Sequence, residues 1–273
     1  MLRILVNALR TGVVTTRYPA EPSVPPVRFR GAPVLHPGSH LPPPAVCPTG
    51  AITERVDAAG RHVALDLARC VFCGRCAEDP WADAITMGRD FELAARSRAD
   101  LRIEVMADDP TAPTGEPARD RSADAARVSS EIRRVLGRSL HLRHLDAGSC
   151  NACDWELAAL LNPVYDVRRL GVDFVASPRH ADGVVVTGPV TRNLETAVRR
   201  TVEAVPDPRI VIAVGACAAS GGIVGEGYAS AGGVDRVLPV DVSIPGCPPR
   251  PEAIIFGILV AVGRLDARLP RRE

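Results

Sequence analysis

The chain has 273 residues, 46% of them hydrophobic and 24% charged, so it can bury a core of one large domain or two ordinary ones. A net charge of +1 excludes a protein that grips nucleic acid by charge alone, and 4% aromatic residues exclude a base-stacking platform. What stands out is 25 prolines and 8 cysteines.

In chain order, residues 1–16 predict a short helix with Leu2, Leu5, Val6, Leu9 and Val13 on one stripe, packed either on its own domain or on a partner or membrane surface. The apolar start is interrupted by Asn7 and Arg10 and has no small-residue cleavage site, which argues against a signal peptide and for a reducing, cytoplasmic setting. A proline-rich, mostly extended stretch runs from Tyr18 to Pro44. Cysteine-bearing sequence follows from Cys47 to about Met87. The polar, proline-broken residues 107–124 read as a linker between a unit over 1–106 and one over 125–273. In the second unit, helical spacing over Ala125–Leu136 precedes predicted strands at Ser139–Leu145, Val172–Ala176, Gly183–Thr187, Arg209–Val214 and Arg236–Val240. Predicted helices lie at Asp154–Leu161, Thr191–Ala204 and Pro251–Val262. Continuous apolar strands alternating with helices predict an α/β, flavodoxin-like, mostly parallel sheet. Its ligand edge is at the carboxyl ends of the strands, where Cys150, Cys217 and Cys247 collect.

The first cysteine set is Cys47 with Cys70-Val-Phe-Cys73-Gly-Arg-Cys76. Two-cluster ferredoxins carry two copies of C-x2-C-x2-C-x3-C-P, each lending its fourth cysteine to the other cluster. Laid on this chain, the template finds Pro37, His40, Pro43 and Pro80 where one cluster's ligands would be, and Cys47, Cys70, Cys73 and Cys76 where the other's would be. The losses fall on one complete set. The pattern therefore predicts a ferredoxin-like α+β domain holding one [4Fe–4S] cluster, with a zinc site as the alternative. His40, alone among prolines, reads as a loop residue.

The second set is Cys150 and Cys153 in Gly148-Ser-Cys-Asn-Ala-Cys-Asp-Trp-Glu156, Cys217 in Gly215-Ala-Cys217, and Cys247 in Pro245-Gly-Cys-Pro-Pro-Arg-Pro-Glu252. Four thiolates suit an iron–sulfur cluster or zinc, and the flanking Gly215, Gly221 and Gly222, which let backbone approach the sulfurs closely, favour the cluster.

With Ser177-Pro-Arg-His-Ala-Asp182, Ser220-Gly-Gly222 and Val240-Asp-Val-Ser-Ile-Pro245, these segments make residues 139–263 resemble one family. It is shared by the small subunit of membrane-bound, energy-converting [NiFe] hydrogenases of the formate hydrogenlyase type and the B subunit of NADH:quinone oxidoreductase. The N-terminal unit, through Thr11-Gly, Tyr18-Pro, Phe29-Arg-Gly31 and Cys70–Cys76, resembles the two-cluster ferredoxin subunit of the same complexes, so the chain reads as a fusion. C-x2-C at Cys150 and Cys153 resembles the hydrogenase type, since the quinone-oxidoreductase B subunit has adjacent cysteines there. Ala152 replaces a usual glycine, and the missing first ferredoxin cluster is the larger departure.

The resemblance implies a non-catalytic electron-transfer subunit with two [4Fe–4S] clusters, one on Cys47, Cys70, Cys73 and Cys76 and one on Cys150, Cys153, Cys217 and Cys247. The second would lie nearest a catalytic large subunit. Membrane subunits would hold the complex on the inner face of the cell membrane, and no nucleic acid is involved. The alternatives are a B-type subunit of a complex I-like, quinone-reducing complex without nickel, and a zinc-stabilised structural or assembly protein. Glu156 reads either as a charge favoured at a helix N-terminus or as a group for proton or hydrogen-bond duty beside the large subunit. Arg179 and Arg250 read either as positive charges near the second cluster or as surface arginines.

Overall fold

The computed structural model describes residues 2–115 and 136–266. The predicted helix over Ala125–Leu136 lies outside them, save for its last residue.

In the N-terminal part, helix α1 (Leu2–Thr11) is followed by extended chain up to strand β1 (Pro33–Leu35). A 3-10 turn at Pro44–Val46 leads to Cys47 and the hairpin β2 (Ile52–Asp57) and β3 (Gly60–Asp66). The Cys70–Cys76 loop ends in a second 3-10 turn, Arg75–Ala77, before β4 (Ile85–Met87), and β5 (Arg102–Met106) closes the part. The outer strands pair, β1 with β4, and the inner strands pair, β2 with β3, all antiparallel, with β5 added beside β3. Each half thus repeats strand, loop, tight turn, strand. Residues 107–115 pack on this part: Ala107 is buried, and Gly115 and Leu35 exchange backbone hydrogen bonds at 3.1 and 2.9 Å.

The C-terminal part is a five-stranded parallel sheet of β6 (Leu140–Asp146), β7 (Val172–Phe174), β8 (Gly183–Thr187), β9 (Ile210–Val214) and β10 (Val242–Ile244), in the order β10-β9-β8-β6-β7. That is the flavodoxin-like order. β8 is buried at every residue, as a central strand covered on both faces must be. The period of two divides β9: Ile210, Ile212 and Val214 enter one core with helix α5 (Pro251–Asp266), and Val211 and Ala213 enter the other. The first core also takes Leu157 and Leu160 from helix α2 (Ala152–Ala159) and the residue after it; the second takes Val198 and Val202 from helix α3 (Glu195–Glu203). Helix α4 (Gly215–Ser220) follows β9 directly.

α5 is apolar all round because its outer face is covered too: Tyr18, Phe91 and Ala94 of the N-terminal part share its core. Ala95 and Ser243 exchange hydrogen bonds at 3.0 and 2.9 Å, so the N-terminal part pairs with the free edge of β10.

Three expectations are corrected. The strand predicted over Arg236–Val240 is a 3-10 turn at Val234–Arg236, and the strand begins at Val242. Pro239 has no N–H for a ladder, and pairing starts at Asp241, whose amide bonds the Val211 carbonyl at 2.9 Å. The helix predicted from Thr191 begins at Glu195, because the Thr191 amide bonds the Ala147 carbonyl at 3.0 Å. Packing of α1 on its own domain is not seen among the described residues: every residue from Arg3 to Val14 whose burial is described is exposed.

Candidate functional site

The second cysteine set forms where β6, β9 and β10 end. After β6, Asp146 Oδ1 accepts from the amides of Gly148 and Ser149 at 2.8 and 2.6 Å, which curls the chain so that Cys150 is exposed and Cys153 enters the buried first turn of α2. Asn151, left-handed at φ 67°, makes the corner. β9 runs through Gly215 straight into α4 with Cys217, and the Ala216 amide donates to the Gly246 carbonyl at 2.8 Å, tying this loop to that of Cys247.

Glycine is needed at two places. A Cβ on Gly215 would come within 2.5 Å of Cys153 Sγ, and one on Gly222 within 2.8 Å of Cys217 Sγ; both have positive φ. Burial, then the charges of neighbouring thiols, pushes Cys153 up, and Cys217 up to about 11. Cys247 is raised by burial and then by Cys150. Such thiols carry negative charge only against a cationic group.

The first set encloses a small cavity with Ile52, Leu65, Val71, Phe72 and Met87. Cys47 Sγ accepts from the Ala51 amide at 3.2 Å and Cys70 Sγ from the Phe72 amide at 3.4 Å. Burial opposes ionisation of Cys47, but hydrogen bonds from Thr49 and from the Thr49, Ala51 and Ile52 amides together hold it below the usual thiol range. Burial, then neighbouring thiols, raises Cys70 to about 12 and Cys76 to about 11. All eight cysteines are free thiols. Among the described residues, no three of His, Cys, Asp or Glu converge on a point where one metal ion would sit. The four template positions without cysteine are half-buried Pro37 and exposed His40, Pro43 and Pro80.

Cys247 of the second set and the Val71-Phe72 segment between two cysteines of the first line a common cleft. The cleft, of about 150 Å³, is also lined by Gly246 and Arg250. Arg250 stands over two rings, 4.8 Å from the Phe91 centroid and 5.3 Å from that of Phe29, and pairs with buried Glu252 at 2.6 Å. Its Nη1 is buried without a hydrogen-bond partner among the described residues. Arg30, not singled out in sequence, donates to the Cys73 carbonyl from the same cleft. Only the Phe29-Arg-Gly31 segment hinted at it.

Arg179 is not near this site. It is exposed at the opposite, amino end of the sheet, on a cavity of about 740 Å³ lined also by Arg138, His141 and Asp182. Glu156 is the fifth residue of α2, past the first turn where a helix dipole acts. Burial and then the Glu252 charge hold its carboxyl above the usual range, Arg250 opposing. Asp154 takes the N-terminal position instead, accepting from Thr187 Oγ1 at 2.8 Å, with His144 Nε2 at 2.7 Å.

Compared with known proteins, residues 150–261 match the family described as NADH ubiquinone oxidoreductase, 20 Kd subunit. The probable membrane-bound hydrogenase subunit of Pyrococcus furiosus is 48% identical over 136 residues, 50% of this chain and 81% of that one. Formate hydrogenlyase subunit 7 of Escherichia coli is 42% identical over 54% of this chain and 58% of its own length. The B subunit of NADH-quinone oxidoreductase from Citrifermentans bemidjiense is 45% identical over 39% of this chain and 62% of its own.

Proposed function

The chain belongs to the 20 kDa subunit family of NADH:ubiquinone oxidoreductase, whose matched members are hydrogenase and NADH-quinone oxidoreductase subunits, and on that footing we propose that it relays electrons through two [4Fe–4S] clusters in a hydrogenase-like complex. The observation that carries the reading is that each four-cysteine set gathers at one place in the fold, the first around one small cavity and the second where β6, β9 and β10 end. The residues fit such clusters. Gly215 and Gly222 leave room beside Cys153 and Cys217 that a Cβ would fill, and an all-thiol donor set is what these clusters use. Three cysteines spaced by two residues, Cys70, Cys73 and Cys76, suit a cluster corner better than a zinc ribbon.

Cys150, Cys153, Cys217 and Cys247 would hold one cluster and Cys47, Cys70, Cys73 and Cys76 the other, in a unit we read as ferredoxin-like from its paired outer and inner strands. The clusters, when bound, supply one-electron chemistry. The chain's own part is to fix their separation, keep water from the cleft with Phe29, Phe72 and Phe91, and set positive charge beside it with Arg30 and Arg250. Exposed Cys150 and Cys247, with exposed Trp155 and Ile223 beside the other two ligands, support coverage by a catalytic large subunit. Cys150 and Cys153 separated by two residues favour the hydrogenase type over the quinone-reducing one. Membrane subunits of the complex would give it a peripheral cytoplasmic position; among the described residues, no helix is long and apolar enough to cross a membrane.

The test is anaerobic iron and sulfide quantitation with electron paramagnetic resonance on the dithionite-reduced chain. About eight irons and two interacting signals are expected, with Cys73→Ser and Cys153→Ser each removing about half the iron. Colourless protein that holds zinc after anaerobic purification would overturn the proposal.

A further inference from the structure

Helix α1 is the part of the molecule that the relay does not explain. Ten residues, LRILVNALRT, form it, and those whose burial is described are all exposed. On its apolar stripe Leu9 is 83% exposed and Val6 38%, and the stripe continues into Val13 at 91%. An unpacked helix of this length is marginal in water, because nucleation is costly and packing of the apolar face supplies most helical stability. Something other than the described residues therefore covers this face.

The charge pattern identifies the covering surface. Residues 1–20 contain Arg3, Arg10 and Arg17 and no acidic residue. Arg3 and Arg10 lie together along one border of the Val6–Leu9 stripe, at helical angles of about 300° and 280° against 240° and 180° at 100° per residue. This is how an interfacial helix meets lipid, with apolar side chains below the headgroups and arginines reaching up to phosphates. At about 1.5 Å per residue the helix is about 15 Å long, half a bilayer core, so it lies on the membrane and does not cross it.

The body holds the helix at its base. Thr15 Oγ1 donates to the Pro163 carbonyl at 2.7 Å and the Thr16 amide to that of Val164 at 2.8 Å. Leu161 and Val164, 44% and 39% exposed, add apolar surface at that anchor.

We propose that α1 docks on an anionic lipid surface through Val6, Leu9 and Val13, with Arg3 and Arg10 against the headgroup phosphates. This contact belongs to the chain itself and rests on α1, independently of the cysteine chemistry.

The experiment is co-sedimentation of the full chain, purified anaerobically, with vesicles of phosphatidylcholine alone or mixed with phosphatidylglycerol. Binding to the phosphatidylglycerol vesicles is expected, weakening as salt is raised. Leu9→Glu is expected to lower it about ten-fold or more, and Arg3→Gln and Arg10→Gln about five-fold each. Iron content, read on the same samples, is expected to be equal in all variants, which separates this result from the fate of the cluster reading. Two results would overturn the proposal: no binding to phosphatidylglycerol vesicles at low salt, or binding that Leu9→Glu leaves unchanged. Light scattering that shows a dimer dissolved by Leu9→Glu, without vesicle binding, would overturn it in favour of a second copy as the occupant.

Discussion

Glu156 stands half-buried between α2 and the start of α5, and its carboxyl is raised first by burial and then by Glu252. An acid whose folded pKa lies above its unfolded value binds its proton more tightly in the native state. Its effect on stability is therefore absent below the ordinary carboxylate pKa of about 4.3 and becomes a loss as pH rises through the folded value. Glu156→Gln is expected to remove that slope and raise the melting midpoint at pH 7; thermal melts across a pH series measure it, and an unchanged slope would assign the linkage to another group. At this scale the cysteine pattern was legible because spacing of this kind is local. The surroundings of Arg250 were not, since Phe29 and Phe91 meet it from distant parts of the chain.

Among the elements, α5 depends most on one clamp. Arg250 closes on Glu252 in its first turn, through Nε at 2.8 Å and Nη2 at 2.6 Å, and Ser23 Oγ donates to the same carboxylate at 3.0 Å. Arg250→Met leaves Glu252, 3% exposed, with only Ser23, and is expected to cost about 3–5 kcal/mol, a fall of roughly 10 °C in melting midpoint. Adding Glu252→Gln is expected to restore most of that, and a double-mutant cycle measures the coupling. Losses that simply add would show that the pair is not the clamp. Element prediction followed the same division. Gly183–Thr187 emerged with its bounds intact because a buried strand is a continuous apolar run. The hairpin strand β2 had no such signature: after Ile52 it is exposed to its end, so no alternation marks it.

Across the whole molecule, the two parts are joined by packing. Ala95 and Ser243 extend the sheet, Arg98 reaches Asp235 at 2.8 Å, and Phe91 and Ala94 lie in the core around α5. A Cβ on Gly257 would meet Ala94 at 3.3 Å, which shows how closely the surfaces approach. Residues that share one core unfold together, so calorimetry of the chain is expected to show one cooperative transition. Two separated transitions would mean that the cleft is held only by the connecting chain.

Sequence alone determined the spacing of the cysteines, C-x2-C at Cys150 and Cys153 included, and the strand–helix alternation after residue 139, because local spacing and hydrophobic period are written within a few residues. Tertiary structure decided that Cys247 and the Val71-Phe72 segment line one cleft, that Arg250 sits over two phenylalanine rings, that α5 is covered on both faces and that the described residues leave α1 bare. Each of these is a contact, or a missing contact, between segments far apart in the chain. Burial of area and pairing of charge act across space, and no local periodicity encodes which distant surface arrives.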